Sequence, residues 1–328
     1  MSVEKKHLKP TMQNGIEMLE VLKSRKMKRK IEQECASLNV IDKSKKCFVI
    51  TRFNLHLYKK DKEDNPVLTE EWLKDRFCLF ETYCLPSLKN QTIQTFYWIV
   101  LFADDTPEPY KQRALQIHKE YNAFLPFFLN EEDTLDYNGF VRDVIRYLKD
   151  DSRLLITIRI DNDDAINYKF IESAYNLSQQ QSDDVHLYTY KYGVQFYVKA
   201  VLADRVPYPH NHFVIMIDRH YNSESCRHVL QFNHGKIHQL DIPFTCINDK
   251  HIMWAEVIHG RNMDNDFMMQ PNHRPLLTRN VLIDKFGWKH RISVSQTLIN
   301  IPFFLLPTAF HHIVHRVKQR LGIIEKNH

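Results

Sequence analysis

Four polar residues, Asp161, Asn162, Asp163 and Asp164, follow directly on a run of branched apolar residues, Leu154, Leu155, Ile156, Ile158 and Ile160. Three carboxylates set so close repel one another and need a compensating charge to stay together. Clustered oxygen donors suit a hard divalent cation, Mg2+ or Mn2+. The competing reading is an acidic strand-to-helix turn, with Asp163 or Asp164 capping a helix that begins near Ile166. Arg159 shares a sheet face with Asp161 if the strand's side chains alternate; it either pairs with an acid or meets a diphosphate. Two further polar groups follow apolar runs: Thr51, Arg52 and Asn54 at the end of CFVIT, and Asp104 and Asp105 after FYWIVLFA.

The elements that position these groups follow from pattern. CFVIT (47–51), FYWIVLF (96–102), 123–129 and the run before Asp161 are short, β-branched or aromatic, and bounded by polar residues, as buried strands are. Between them, Thr69 caps a helix that carries Trp72, Leu73, Arg76, Phe77, Phe80 and Tyr83 and ends at Pro86. A second helical pattern covers 108–122, and Phe140, Val141, Val144, Ile145 and Leu148 line one face of a third over 137–148. Alternating strands and helices predict an α/β fold with a mostly parallel central sheet flanked by helices. The ends of the first, second and acidic strands then share one edge, where ligands of open α/β sheets collect. Farther on, HLYTYKYGVQFYV around Gly193 reads as a hairpin, 213–217 as a strand, and 262–280 as a polar loop able to close over a site.

Composition limits the chemistry. The chain has 328 residues, enough to bury a large core, and 43% hydrophobic with 26% charged residues is ordinary for a globular protein. With 7 glycines and neither GxGxxG nor GxxxxGK[ST] present, a glycine-rich phosphate loop is excluded. The 6 cysteines form no CxxC pair, which suits reduced thiols in a cytosol. No secretory signal and no run of 18 apolar residues stands out, so a cytoplasmic protein is expected. Residues 1–46 carry 12 Lys/Arg against 6 Asp/Glu, while the whole chain is only +5, so the charge is concentrated in a basic, helically patterned extension. No nucleic-acid motif accompanies it.

TRFN after the first strand, QT…W.V.F.DDTP around the second and R.DNDDA after the acidic strand, in this order and spacing, resemble the bacterial "putative rhamnosyltransferase" family of sugar-nucleotide-dependent glycosyltransferases. The resemblance runs from about Phe48 to Asn265, with a weaker part in Trp254-Ala-Glu-Val-Ile-His259-Gly-Arg-Asn262. The family has an Asp directly after the second strand's Phe, where this chain has Ala103, so Asp104 and Asp105 both stay open for that role.

The resemblance implies a glycosyltransferase A-type fold and a hexosyltransferase that moves a sugar, rhamnose by the family's label, from a nucleoside-diphosphate donor to a glycan or lipid-linked glycan acceptor. It implies a DxD site in which Mn2+ or Mg2+ neutralises the leaving diphosphate. Asp161, Asp163 and the late His259 become the metal ligands. Thr51, Arg52, Asn54, Asp104, Asp105, Arg159, Asp161 and Asn162 become donor-binding residues. A transfer that inverts the anomeric carbon needs a base near the acceptor hydroxyl, and Glu256, Asp241 and Glu224 are candidates, Glu256 first because it stands in an apolar stretch.

The catalytic domain is expected over 47–295. In 296–328, Phe310, Ile313, Val314, Val317 and Leu321 share a helical face with Arg316, Lys318 and Arg320 elsewhere, a pattern suited to an anionic membrane surface on the inner face of the plasma membrane. Rival readings are a DxD metal enzyme of phosphate chemistry, a nucleotidyltransferase or phosphohydrolase, and an inactive glycan-binding protein of the same fold.

Overall fold

The structure, a computed structural model, describes residues 26–40, 43–57, 68–150, 153–222, 224, 226–232, 237, 239–259, 274–277, 280–289, 291–295 and 297–300. The expected basic helix is described from residue 26 onward, and the closing loop over 262–280 only at 274–277 and 280. The amphipathic stretch from 301 lies outside the described residues.

Seven strands form the main sheet, in the order β10(Phe244–Ile247), β6(Val185–Tyr190), β9(Ile215–Asp218), β4(Leu155–Arg159), β1(Cys47–Arg52), β2(Phe96–Ala103), β3(Phe124–Leu129). β1 pairs in parallel with β2 and β4, β2 with β3, and β6 with β10; β9 alone runs antiparallel, between β4 and β6. The parallel core strands are buried on both faces, as their unbroken apolar runs require. On one face lie α2(Glu70–Leu79), α3(Leu85–Lys89), α4(Glu108–Glu120) and α7(Phe170–Gln180), which bury Trp72, Phe77, Leu88, Ile117 and Phe170. On the other, α6(Tyr137–Leu148), which follows the short α5(Glu131–Leu135), buries Phe140, Val144 and Leu148, and Ile31 and Cys35 of α1 (26–37), with Leu38 just after it, join the same cluster. The part of the basic N-terminal segment that is described therefore packs on the sheet rather than standing off it.

The mixed α/β sheet flanked by helices agrees with the A-type fold expected. Three local expectations are corrected. The helix that begins at the Thr69 cap, whose Oγ1 accepts from Trp72 N at 3.2 Å, does not stop at Pro86. A π-helical turn over Phe80–Cys84 loosens the hydrogen-bond ladder, and Pro86 then stands in the first turn of α3, where a missing N–H costs nothing. No helix begins at Ile166: Ala165–Ile166 is a short strand, β5, and α7 follows at Phe170.

The third correction is the hairpin. β6 and β7(Tyr192–Tyr197) do not pair; the chain changes sheets at Lys191. β7 belongs to a second, five-stranded sheet in the order β12(Arg274–Pro275), β8(Leu202–Pro207), β7, β11(Trp254–Ile258), β5. In it Gly193 lies opposite Trp254, and a Cβ there would come 2.0 Å from the indole ring. The glycine makes room for the tryptophan.

Candidate active site

The carboxyl ends of β1, β2 and β4 meet on one edge, since all three strands run parallel. The second sheet closes against that edge through β5, which continues directly from the acidic turn, and through β11 beside it. Asp161 to Asp164 thus form the joint between the two sheets.

Each acidic side chain meets different partners. Asp161 is the most open, its side chain 35% exposed, and Arg159 Nη2 reaches its two carboxylate oxygens at 3.2 Å. Asn162 Nδ2 donates to Phe53 O at 2.8 Å, which ties the turn to the end of β1. Asp163 is buried; Arg76 Nη1 donates to it at 2.6 Å and His259 Nε2 lies 3.0 Å from the same oxygen. Burial by itself would raise this carboxyl, but the Arg76 charge and the His259 contact prevail and hold it at about 2. Asp164 is also buried; Val257 N donates to one oxygen at 3.0 Å and His212 Nε2 lies 2.6 Å from the other. Burial raises Asp164, and its carboxylate in turn raises His212 against the imidazole's own desolvation. The expected helix-capping role of Asp163 and Asp164 does not occur, because both side chains point into these buried contacts.

The donor atoms of Asp161, Asp164 and His212 lie within 4.8 Å of one another, the only such group of three metal-ligating residues among the described residues. Two carboxylates and an imidazole make a donor set that suits Mn2+ or Mg2+. Asp161, Asp163 and His259 are not gathered in this way; Asp163 Oδ2 is instead held by Arg76 and His259.

The other expected site residues divide by location. Thr51 is fully buried; its Oγ1 donates to Ile160 O and accepts from Trp98 Nε1, each at 2.9 Å, so it ties β1 to β4 and β2. Asn54 is a similar strut, donating to Thr106 Oγ1 at 2.9 Å and accepting from Ala103 N at 3.3 Å. Arg52 is half-buried, its guanidinium 5.8 Å from the Tyr137 ring centre, and the β1–β4 register carried two residues on sets it beside Asp161. Asp104 and Asp105 are exposed at the end of β2, Asp105 being 3.0 Å from His56. Glu256 is buried on β11, next in sequence to the Val257 that holds Asp164. Asp241 and Glu224 are exposed away from this edge. Asp241 precedes the amino end of β10, three strands from β4, and Glu224 O accepts from Arg146 in the last turn of α6.

Sequence reasoning missed Arg76 and His212. Arg76 left a signal: a guanidinium at helical spacing among Trp72, Leu73 and Phe77, on the face that must be buried, needs an anionic partner. His212, one of 18 histidines, left none. Cys84, beneath the turn with its Sγ 3.6 Å from Asp161 O, is no nucleophile, since burial and the three carboxylates push its thiol well above the usual range.

A family model described as "Putative rhamnosyl transferase" matches residues 49–271. No curated protein matches the chain. Among solved structures, S. aureus TarS 1-349 is 15% identical, with 65% of this chain and 60% of that chain covered and a TM-score of 0.36. Its complex with UDP is 16% identical over the same shares, also at 0.36. The complex with UDP-GlcNAc is 20% identical over 44% of this chain and 34% of that chain, at 0.26. The chain thus spans between 34% and 60% of the length of these structures. Among the described residues, no helix is long and apolar enough to cross a membrane.

Proposed function

The chain belongs to the "putative rhamnosyl transferase" family, and from that premise we propose that it is a metal-dependent glycosyltransferase. It moves a sugar, rhamnose by the family's name, from a nucleoside-diphosphate donor to a hydroxyl of a cell-surface or lipid-linked glycan. The observation that carries this reading is the donor set of Asp161, Asp164 and His212 at the sheet edge, inside the stretch the family model matches.

Asp161, Asp164 and His212 would hold a divalent cation, which when bound supplies positive charge for the departing diphosphate. Arg159 orients Asp161, and Arg76 keeps Asp163 ionised and fixed, so the turn does not collapse on itself. Arg52, on the neighbouring strand, supplies a second guanidinium at this edge. Glu256 takes the proton of the acceptor hydroxyl as its oxygen bonds to the anomeric carbon; the bond from that carbon to the diphosphate breaks, and the nucleoside diphosphate leaves with the electron pair. An acceptor anchored in a membrane suits the apolar-then-basic residues from 301 onward, which favour an anionic surface.

The test is thermal stability of the purified protein with UDP, dTDP and GDP, each with Mn2+, Mg2+ or EDTA. A ligand that binds only the folded state raises the melting temperature by mass action. A shift with one nucleoside diphosphate that needs the metal, and is lost in Asp161→Asn, supports the reading and names the donor base. No shift with any of them, or an equal shift in Asp161→Asn, overturns it.

A further inference from the structure

The second sheet carries a polar row across its middle. Asp204 on β8, Gln195 on β7 and Glu256 on β11 are register partners, so their side chains stand on the same face. Asp204 is 0% and Glu256 2% exposed. The opposite face is wholly apolar there: Val194, Phe196, Ala203, Ala255 and Val257 pack against Tyr83 and Trp288. Burying two carboxylates on one face, flanking a half-buried amide, costs stability that apolar residues would not, so the row calls for a reason. Gln195 Nε2 donates to Glu256 Oε2 at 2.7 Å, while its own Oε1 is buried with no hydrogen-bond partner. The amide is thus turned to serve Glu256 at the expense of its own carbonyl. Glu256 in turn sits where its charge is felt by both His212 and Tyr208.

We infer that Gln195 is a positioning residue for Glu256: its N–H fixes one carboxylate oxygen and so aims the group at the acceptor hydroxyl. The inference rests on the assignment of Glu256 as the base. Without the amide, the carboxylate rotates away from the line of proton transfer, and turnover falls while donor binding, which depends on the other side of the joint, does not.

The experiment measures nucleoside-diphosphate release from dTDP-rhamnose and UDP-GlcNAc, with water as acceptor, in the full chain and in Glu256→Gln, Gln195→Leu and Gln195→Ser. Expected are a loss of more than about 100-fold in kcat for Glu256→Gln and of about 10- to 100-fold for Gln195→Leu, with donor KM and melting temperature unchanged in the latter. Gln195→Ser, which leaves room for water, replaces the leucine variant if that one melts below the assay temperature. Wild-type kcat in Glu256→Gln refutes the base assignment and the inference with it. An inactive Glu256→Gln beside a Gln195 variant with unchanged kcat refutes the positioning role alone. So does a Gln195 variant in which kcat, KM and melting temperature move together, since that is the mark of a structural amide.

Discussion

Arg76 and Asp163 face each other at 2.6 Å, both buried, across 87 residues of chain. The guanidinium also donates to Asn162 Oδ1 at 3.2 Å and rests over the Trp72 ring, so helix α2 holds the acidic turn by two side chains at once. The buried pair separates Asp163 from its neighbours: Asp163 is compensated by Arg76, while Asp161 and Asp164 group with His212.

Removing one member of such a pair leaves the other charged and buried. Arg76→Met should destabilise the fold by about 3 kcal/mol, and the double variant Arg76→Met with Asp163→Leu should recover part of that loss. Urea unfolding of the single and double variants reads both. A single variant within about 0.5 kcal/mol of wild type would show that the pair contributes nothing to holding the turn.

Under the proposed function, the donor set ranks the two histidines as metal ligands. Titration of Mn2+ followed by electron paramagnetic resonance should show affinity reduced at least about 10-fold in His212→Ala and Asp164→Asn, and little changed in His259→Ala. The reverse order, with His259→Ala losing the ion and His212→Ala keeping it, would place the cation with Asp163 instead.

His228 predicts an acid limit of stability. It is fully buried with Nε2 donating to Asn138 O at 2.9 Å, and burial lowers its pKa to about 4 from an ordinary 6.5. Below pH 6.5 the unfolded chain takes up a proton that the folded one refuses, so stability is lost as pH falls from 6.5 towards 4 and is complete above it. Between pH 7.5 and 5 this one group should cost about 2 kcal/mol, seen as a larger fall in the urea midpoint for wild type than for His228→Gln. Equal falls in the two proteins would remove His228 as the cause.

Gly193→Ala should be among the most damaging small substitutions in the chain. The methyl would come 2.0 Å from the Trp254 indole, whose Nε1 donates to Tyr190 O at 2.7 Å and so cannot swing aside freely. A loss of about 3 kcal/mol or failure to fold is expected. A melting temperature equal to wild type would mean that the strands part to admit it.

The sheet edge is legible in the chain. Branched apolar runs ending in Thr51-Arg52, Asp104-Asp105 and Asp161–Asp164 encode buried strands and their polar ends locally, because burial and pleat act on neighbours in the chain. The Thr69 cap and the helix over 137–148 were legible for the same reason. Which acid meets which partner was not legible. Asp161, Asp163 and Asp164 are alike in the chain, and their fates separate only when Arg76 arrives from α2, His212 from the loop before β9 and Val257 from β11. The residues around Gly193 show the same limit: alternation says that a strand is there, but two strands close in sequence read as a hairpin whether they pair or not. Seating Trp254 against Gly193 sends β7 into the second sheet and brings Gln195 and Glu256 beside the acidic turn. Backbone pairing and charge compensation between distant segments are set by packing, and packing is written in no single stretch of the chain.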